Sequence, residues 1–101
     1  MNKKVRMNEA GLVELCVKYH VERLELFGSA AGPEDAPIGD VDFLVEFHPC
    51  TPAEHCDRYF GFLADLEELF GCRVDLVETK AMKNPYFIRR VNEQRVPVYA
   101  A

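Results

Sequence analysis

Thr51-Pro52-Ala53-Glu54 opens the most sharply marked helix in this chain. A hydroxyl at the N-cap, proline at the first helical position and glutamate two residues further on form a capping box. Tyr59, Phe60, Phe62, Leu63, Leu66, Leu69 and Phe70 then recur at helical spacing as its buried stripe, and Gly71 supplies the left-handed stop. Two β-prone runs flank this helix, residues 40–47 before it and 73–78 after it. Strand, helix and strand in that order are long enough for a parallel crossover, which would be right-handed. A chain built around such a unit must lay a sheet against helices.

The remaining elements extend that layer. Asn8 stands where it could cap a helix over 8–20, with Leu12, Leu15, Cys16 and Tyr19 on one side. Residues 23–27 alternate polar and apolar before Gly28-Ser29, which suits a strand running into a turn. Gly32, Pro33, Pro37 and Gly39 make 30–39 a loop without a period. A last helix begins at Asn84-Pro85 and runs through Phe87, Ile88 and Val91, followed by a short extended end over 96–99. The expected fold class is therefore α/β (α+β), a small mixed sheet flanked by helices. With 101 residues, the chain has room for one domain over 1–101.

Charge and composition narrow the function. Twelve basic against seventeen acidic side chains give a net charge of -5, so direct binding to nucleic acid or to an anionic membrane has no overall electrostatic drive. No apolar run approaches the roughly 18 to 20 residues of a spanning helix, and the first residues do not read as a signal peptide. The expected location is cytoplasmic. Cys16, Cys50, Cys56 and Cys72 form no C-x-x-C pair and are read as reduced thiols.

Asp40 and Asp42 are two apart in the run 40–47, so on a strand both side chains leave one face, about 7 Å apart along the backbone. At about 4 Å and an effective dielectric near 20, two such charges would repel by about 4 kcal/mol, a cost that a divalent cation reverses. Hard oxygen ligands favour magnesium or manganese over zinc. Asp75 lies inside the otherwise apolar run 73–78; if that strand neighbours 40–47, it joins the pair, and three carboxylates can bracket two ions about 3.5 to 4 Å apart. Upstream, Gly28 lets the backbone turn closely. Free amides and the Ser29 hydroxyl after it form a pocket suited to phosphate oxygens.

Taken together, Leu26-Phe27-Gly28-Ser29, then Asp40-Val41-Asp42-Phe43-Leu44-Val45, then Asp75 on a later strand, resemble the minimal nucleotidyltransferases of the DNA polymerase beta superfamily. The resemblance spans nearly the whole chain. It implies a polymerase-beta-like nucleotidyltransferase fold, two Mg²⁺ ions, with Mn²⁺ as an alternative, and transfer of a nucleoside monophosphate, AMP from ATP, with release of pyrophosphate. It also implies an antitoxin that adenylylates a tyrosine on a partner HEPN-type toxin. In that frame Gly28 and Ser29 hold the outer phosphates and Asp40, Asp42 and Asp75 are the catalytic metal ligands, Asp75 also accepting the acceptor's proton. Two positions depart from the family pattern: Gly32 stands where many relatives have arginine, and Gly39 where many have serine. No Lys or Arg occurs anywhere from Ala30 to Gly39. A binding module of the same fold that neutralises its partner by contact alone is the rival reading, and transfer to a small molecule is a third. The oligomeric state stays open.

Three other features carry less chemistry. His48, Cys50, His55 and Cys56 cluster around the entrance to the 52–70 helix but match no usual zinc spacing. Arg89, Arg90 and Arg95 read first as a solvated helix end. The stripe Tyr59, Phe60, Phe62 and Leu63 is wider than one face requires, leaving an apolar edge that could meet a partner.

Overall fold

The structure, a computed structural model, describes residues 1–35 and 39–101. Four strands, β1 (Val21–Phe27), β2 (Val41–Phe47), β3 (Val74–Glu78) and β4 (Val96–Ala100), form one sheet in the order β3-β2-β1-β4. β1 runs antiparallel to β2 and to β4, whereas β2 and β3 are parallel. The parallel pair is joined by helix α3 (Pro52–Phe70), whose ends are those the sequence marks. Thr51 and Glu54 close the capping box, and Gly71 takes the left-handed conformation with φ 64°.

One face of the sheet carries the main core. Leu24, Leu26, Val41, Phe43, Val45, Val74 and Leu76 pack there against Phe62, Leu66 and Phe70 of α3 and against Leu12 and Cys16 of helix α2 (Glu9–Lys18). The two helices approach so closely at Gly61 that a Cβ there would lie 2.7 Å from Tyr19 Cε1. Tyr19 and Lys18 both donate to the Asp65 carboxylate across this contact. The opposite face carries helix α4 (Pro85–Gln94), which sets Val91 over Phe27 and Leu44 with Val77 and Met82 alongside. The Arg95–Glu25 ion pair, with Glu25 almost wholly buried, fastens the end of α4 to β1.

The free edge of β3 is closed by α3. Arg73 offers its carbonyl to the Val41 N–H, so alternation turns the backbone groups of Val74 and Leu76 away from β2. The Val74 N–H donates to Glu67 Oε2 at 3.2 Å, and the Leu76 carbonyl accepts from the Tyr59 hydroxyl. These two bonds occupy groups that would otherwise pair with another chain.

Three expectations need correction. The helix expected over 8–20 is two helices, α1 (Lys3–Met7) and α2, because Asn8 turns back and donates its side-chain amide to the Lys4 carbonyl instead of capping α2. The loop expected from residue 30 begins as a 3-10 turn over Gly28–Ala31, with Ala30 buried; positions 36–38 of that loop lie outside the described residues. Asp40 precedes β2 in a bend and is not part of the strand.

Tyr59→Phe removes the donor from the Leu76 carbonyl at little cost in volume. It should destabilise the fold by about 0.5–1.5 kcal/mol in urea unfolding; an unchanged midpoint would show that the β3 edge does not depend on this bond.

Candidate active site

The site begins where β1 ends. Phe27 is extended, and the chain then folds into the Gly28–Ala31 turn with Gly28 at φ 72°, a conformation that side chains rarely tolerate. Gly28 has a second reason to lack a side chain: a Cβ there would lie 2.5 Å from Asp42 Oδ2. Ala30 anchors the turn in the core and leaves Ser29 exposed beside it. The chain's first residues hold the turn's exit in place. Asn2 N–H donates to the Ala30 carbonyl at 2.8 Å, Lys3 N–H donates to the Glu34 carbonyl at 3.1 Å, and Arg6 pairs with the Glu34 carboxylate. Sequence reading missed this clamp, because α1 buries Val5 alone among its five residues and gives no apolar period to detect.

Strand register then assembles the acids. Phe27 is the partner of Asp42 on β2, and Asp42 is the partner of Asp75 on β3. Val41, Phe43, Val74 and Leu76 belong to the main core, so by alternation Asp42 and Asp75 emerge on the opposite face, the one that α4 covers further along. Both are half-buried, whereas Asp40 is exposed one step outside the sheet. The structure thus brings Asp42 and Asp75 together beside Gly28 and keeps Asp40 at the rim.

Burial pushes the Asp42 carboxyl up to about 6 from the ordinary 3.8; a hydrogen bond shared with Asp75 and the negative charges of Asp75 and Asp40 add to the shift. Without a cation, a proton held on Asp42 relieves its repulsion with the neighbouring carboxylates. The same hard oxygens suit Mg²⁺ or Mn²⁺, which would replace that proton. Among the described residues no three His, Cys, Asp or Glu side chains are arranged to hold a metal ion as they stand, consistent with Asp40 lying outside the pair.

Arg73 is the basic residue at this end of the sheet that sequence reading passed over. Its Nε lies 3.7 Å from Asp75 Oδ1, both side chains being substantially exposed. The two-residue spacing of 73 and 75 was the one sequence hint, and the ion pair is what shows that the two side chains meet.

The other sequence candidates lie elsewhere. His55 hydrogen-bonds Glu78 and packs its ring on Phe47, bordering a cavity of about 370 Å³ that His48, Cys50 and Lys80 also line. This cavity sits at the carboxyl ends of β2 and β3, the far end of the sheet from Asp42 and Asp75. Arg89 pairs with Glu93 and Arg95 with Glu25. Of the wide stripe on α3, Phe62 is buried and Tyr59 and Leu63 are partly buried, whereas Phe60 remains 62% exposed. The four cysteines are free thiols. No helix among the described residues is long and apolar enough to cross a membrane.

Comparison with known proteins gives the family and the fold. The family profile "Nucleotidyltransferase domain" matches residues 11–98. A protein of Methanocaldococcus jannaschii named "Putative protein adenylyltransferase" is 38% identical over 81 residues, 80% of each chain. Among solved structures, "Structure of putative minimal nucleotidyltransferase" superposes with a TM-score of 0.66 at 28% identity and 96% coverage of both chains. The fold is also found in the structure of the tri-AMPylated Shewanella oneidensis HEPN toxin in complex with MNT antitoxin (TM-score 0.63, 17% identity, 95% of this chain and 72% of the matched one). A toxin–antitoxin structure with AMP-PNP shares it too (TM-score 0.63, 17% identity, 93% and 74%).

Two measurements check the site. Gly28→Ala adds a methyl in a left-handed position and drives the Asp42 carboxylate away from Asp75; it should cost about 1–3 kcal/mol of stability and abolish any response to Mg²⁺. A Gly28→Ala variant with wild-type melting and Mg²⁺ response would remove Gly28 from the site. The second uses pH. Because the folded-state value of Asp42 is raised, the native chain binds that proton more tightly than the unfolded chain does. The resulting stability is fully present below about pH 4 and is lost as pH rises through about 6. In EDTA, the melting temperature of the wild type should therefore fall relative to Asp42→Asn between about pH 4 and about pH 7. Parallel curves would contradict the raised value.

Proposed function

Because the chain belongs to the nucleotidyltransferase domain family and is a nucleotidyltransferase, we propose that it transfers AMP from ATP to a protein hydroxyl, a tyrosine of a HEPN-type toxin, and thereby acts as that toxin's antitoxin. The observation that carries the reading is the Asp42–Asp75 pair set beside the Gly28 turn by strand register. The names of the similar proteins support the protein acceptor and the toxin partner.

In this reading the amides after Gly28 and the Ser29 hydroxyl hold the β- and γ-phosphates. Asp42 and Asp75 would hold Mg²⁺, with Asp40 turning in from the rim where a second ion is bound. Bound Mg²⁺ supplies positive charge that neutralises the triphosphate oxygens. Asp75 faces the incoming hydroxyl and accepts its proton. The hydroxyl oxygen forms a bond to the α-phosphorus as the bond from that phosphorus to the β-bridging oxygen breaks, and pyrophosphate leaves with the electron pair. Little covalent work falls to the protein itself; its contribution is in-line positioning and charge neutralisation.

One sequence fact favours the rival in which the fold neutralises its partner by contact alone: residues 30–39 contain no Lys or Arg to face the phosphates. Label transfer separates the two readings. With α-labelled ATP and Mg²⁺, the wild type should label a HEPN-type partner on tyrosine, and Asp42→Asn should lower transfer by about 10³-fold or more while leaving the circular dichroism spectrum unchanged. A wild-type chain that co-purifies with the partner but labels nothing, with any of the four nucleoside triphosphates, would establish the rival instead.

A further inference from the structure

Arg73 occupies a position that the phosphate turn cannot supply. The turn follows β1, Asp42 lies on β2, and Asp75 and Arg73 lie on or beside β3, so the site is laid out across three neighbouring strands. A triphosphate with its outer phosphates on Gly28–Ser29 would extend over Asp42 and bring its α-phosphoryl group toward β3. Arg73 immediately precedes that strand, bonds its carbonyl to the Val41 N–H, and presents its guanidinium on the same face as Asp75.

We propose that Arg73 is a catalytic residue that contacts the non-bridging oxygens of the α-phosphoryl group, supplying the positive charge that residues 30–39 lack. The proposal rests on the nucleotidyl-transfer reading above. Other arginines with carboxylate partners are engaged elsewhere: Arg6 with Glu34, Arg58 with Glu54, Arg89 with Glu93 and Arg95 with Glu25. The Arg73 pair joins a guanidinium to a carboxylate of the site, at a distance of 3.7 Å with the Arg73 side chain 73% exposed. Such a loose, solvated pair is worth little to the fold, so the guanidinium can exchange partners at small cost. When a cation takes the oxygens of Asp75, the attraction holding Arg73 falls, and a phosphoryl group beside it offers the planar fork a better-matched acceptor.

Calorimetry with two probes tests this without an acceptor protein. α,β-Methylene-ATP carries the α-phosphoryl group, whereas inorganic pyrophosphate stands in for the outer phosphates alone; each is titrated with Mg²⁺ into the full chain. Arg73→Ala should weaken α,β-methylene-ATP binding about tenfold or more and leave pyrophosphate binding within about twofold, and Arg73→Lys should recover part of the loss. Retained pyrophosphate binding also shows that the variant is folded. Wild-type affinity of Arg73→Ala for α,β-methylene-ATP, or equal loss of both probes, would overturn the assignment while leaving the nucleotidyl-transfer reading intact. A wild-type chain that binds neither probe would overturn that reading, and the role of Arg73 with it.

Discussion

The parallel pairing of β2 with β3 places Asp42 directly beside Asp75, and the chemistry open to this chain follows from that contact. A shift of one residue in the pairing would turn Asp75 into the main core and Leu76 out of it, so the buried faces of Val74 and Leu76 fix the register on energetic grounds. Burial of two carboxylates side by side is costly unless something positive is shared between them. In the metal-free chain burial, together with the hydrogen bond to Asp75 and the charges of Asp75 and Asp40, makes Asp42 hold its proton up to about pH 6.

The other elements serve this contact in distinct ways. Helix α3 makes the parallel connection, fills one face of the sheet and seals the β3 edge through Tyr59 and Glu67. Helix α4 covers Leu44 and Phe27 on the opposite face, with Phe87 edge-on to Phe27, while Asp42 and Asp75 remain only half-buried. Gly28 leaves the space that the Asp42 carboxylate occupies, and Asn2 and Lys3 tie the following segment to the N-terminal helix. Each of these would be ordinary alone; their convergence at the amino ends of β2 and β3 makes a site.

Much of this was legible in the residues and some was not. The capping box at Thr51, the Pro85 helix start, the Gly71 stop and the strand–helix–strand unit appear in the structure within a residue or so of where local chemistry puts them, because caps and breakers act over a few residues. Asp75 was harder. Val74 and Leu76 pack in one core and Val77 against the other, so apolar residues lie on both faces and alternation cannot say which way the aspartate points. Helix α1 was invisible, since it depends on bonds to Ala30 and Glu34 that are distant in sequence. Asp40 was misplaced for a related reason: it carries the same i,i+2 spacing from Asp42 that strand residues have, yet β2 pairing begins only at Val41. The closeness of Gly28 to Asp42 likewise needed the β1–β2 register.

A carboxyl-resolved NMR titration of Asp42 probes the shared-cation site most directly, with and without saturating Mg²⁺. The structure predicts that Asp42 titrates near pH 6 in EDTA and falls below the ordinary carboxylate range once Mg²⁺ is added. An Asp42 that titrates near 3.8 in both conditions would mean that the two carboxylates neither share a proton nor hold a cation.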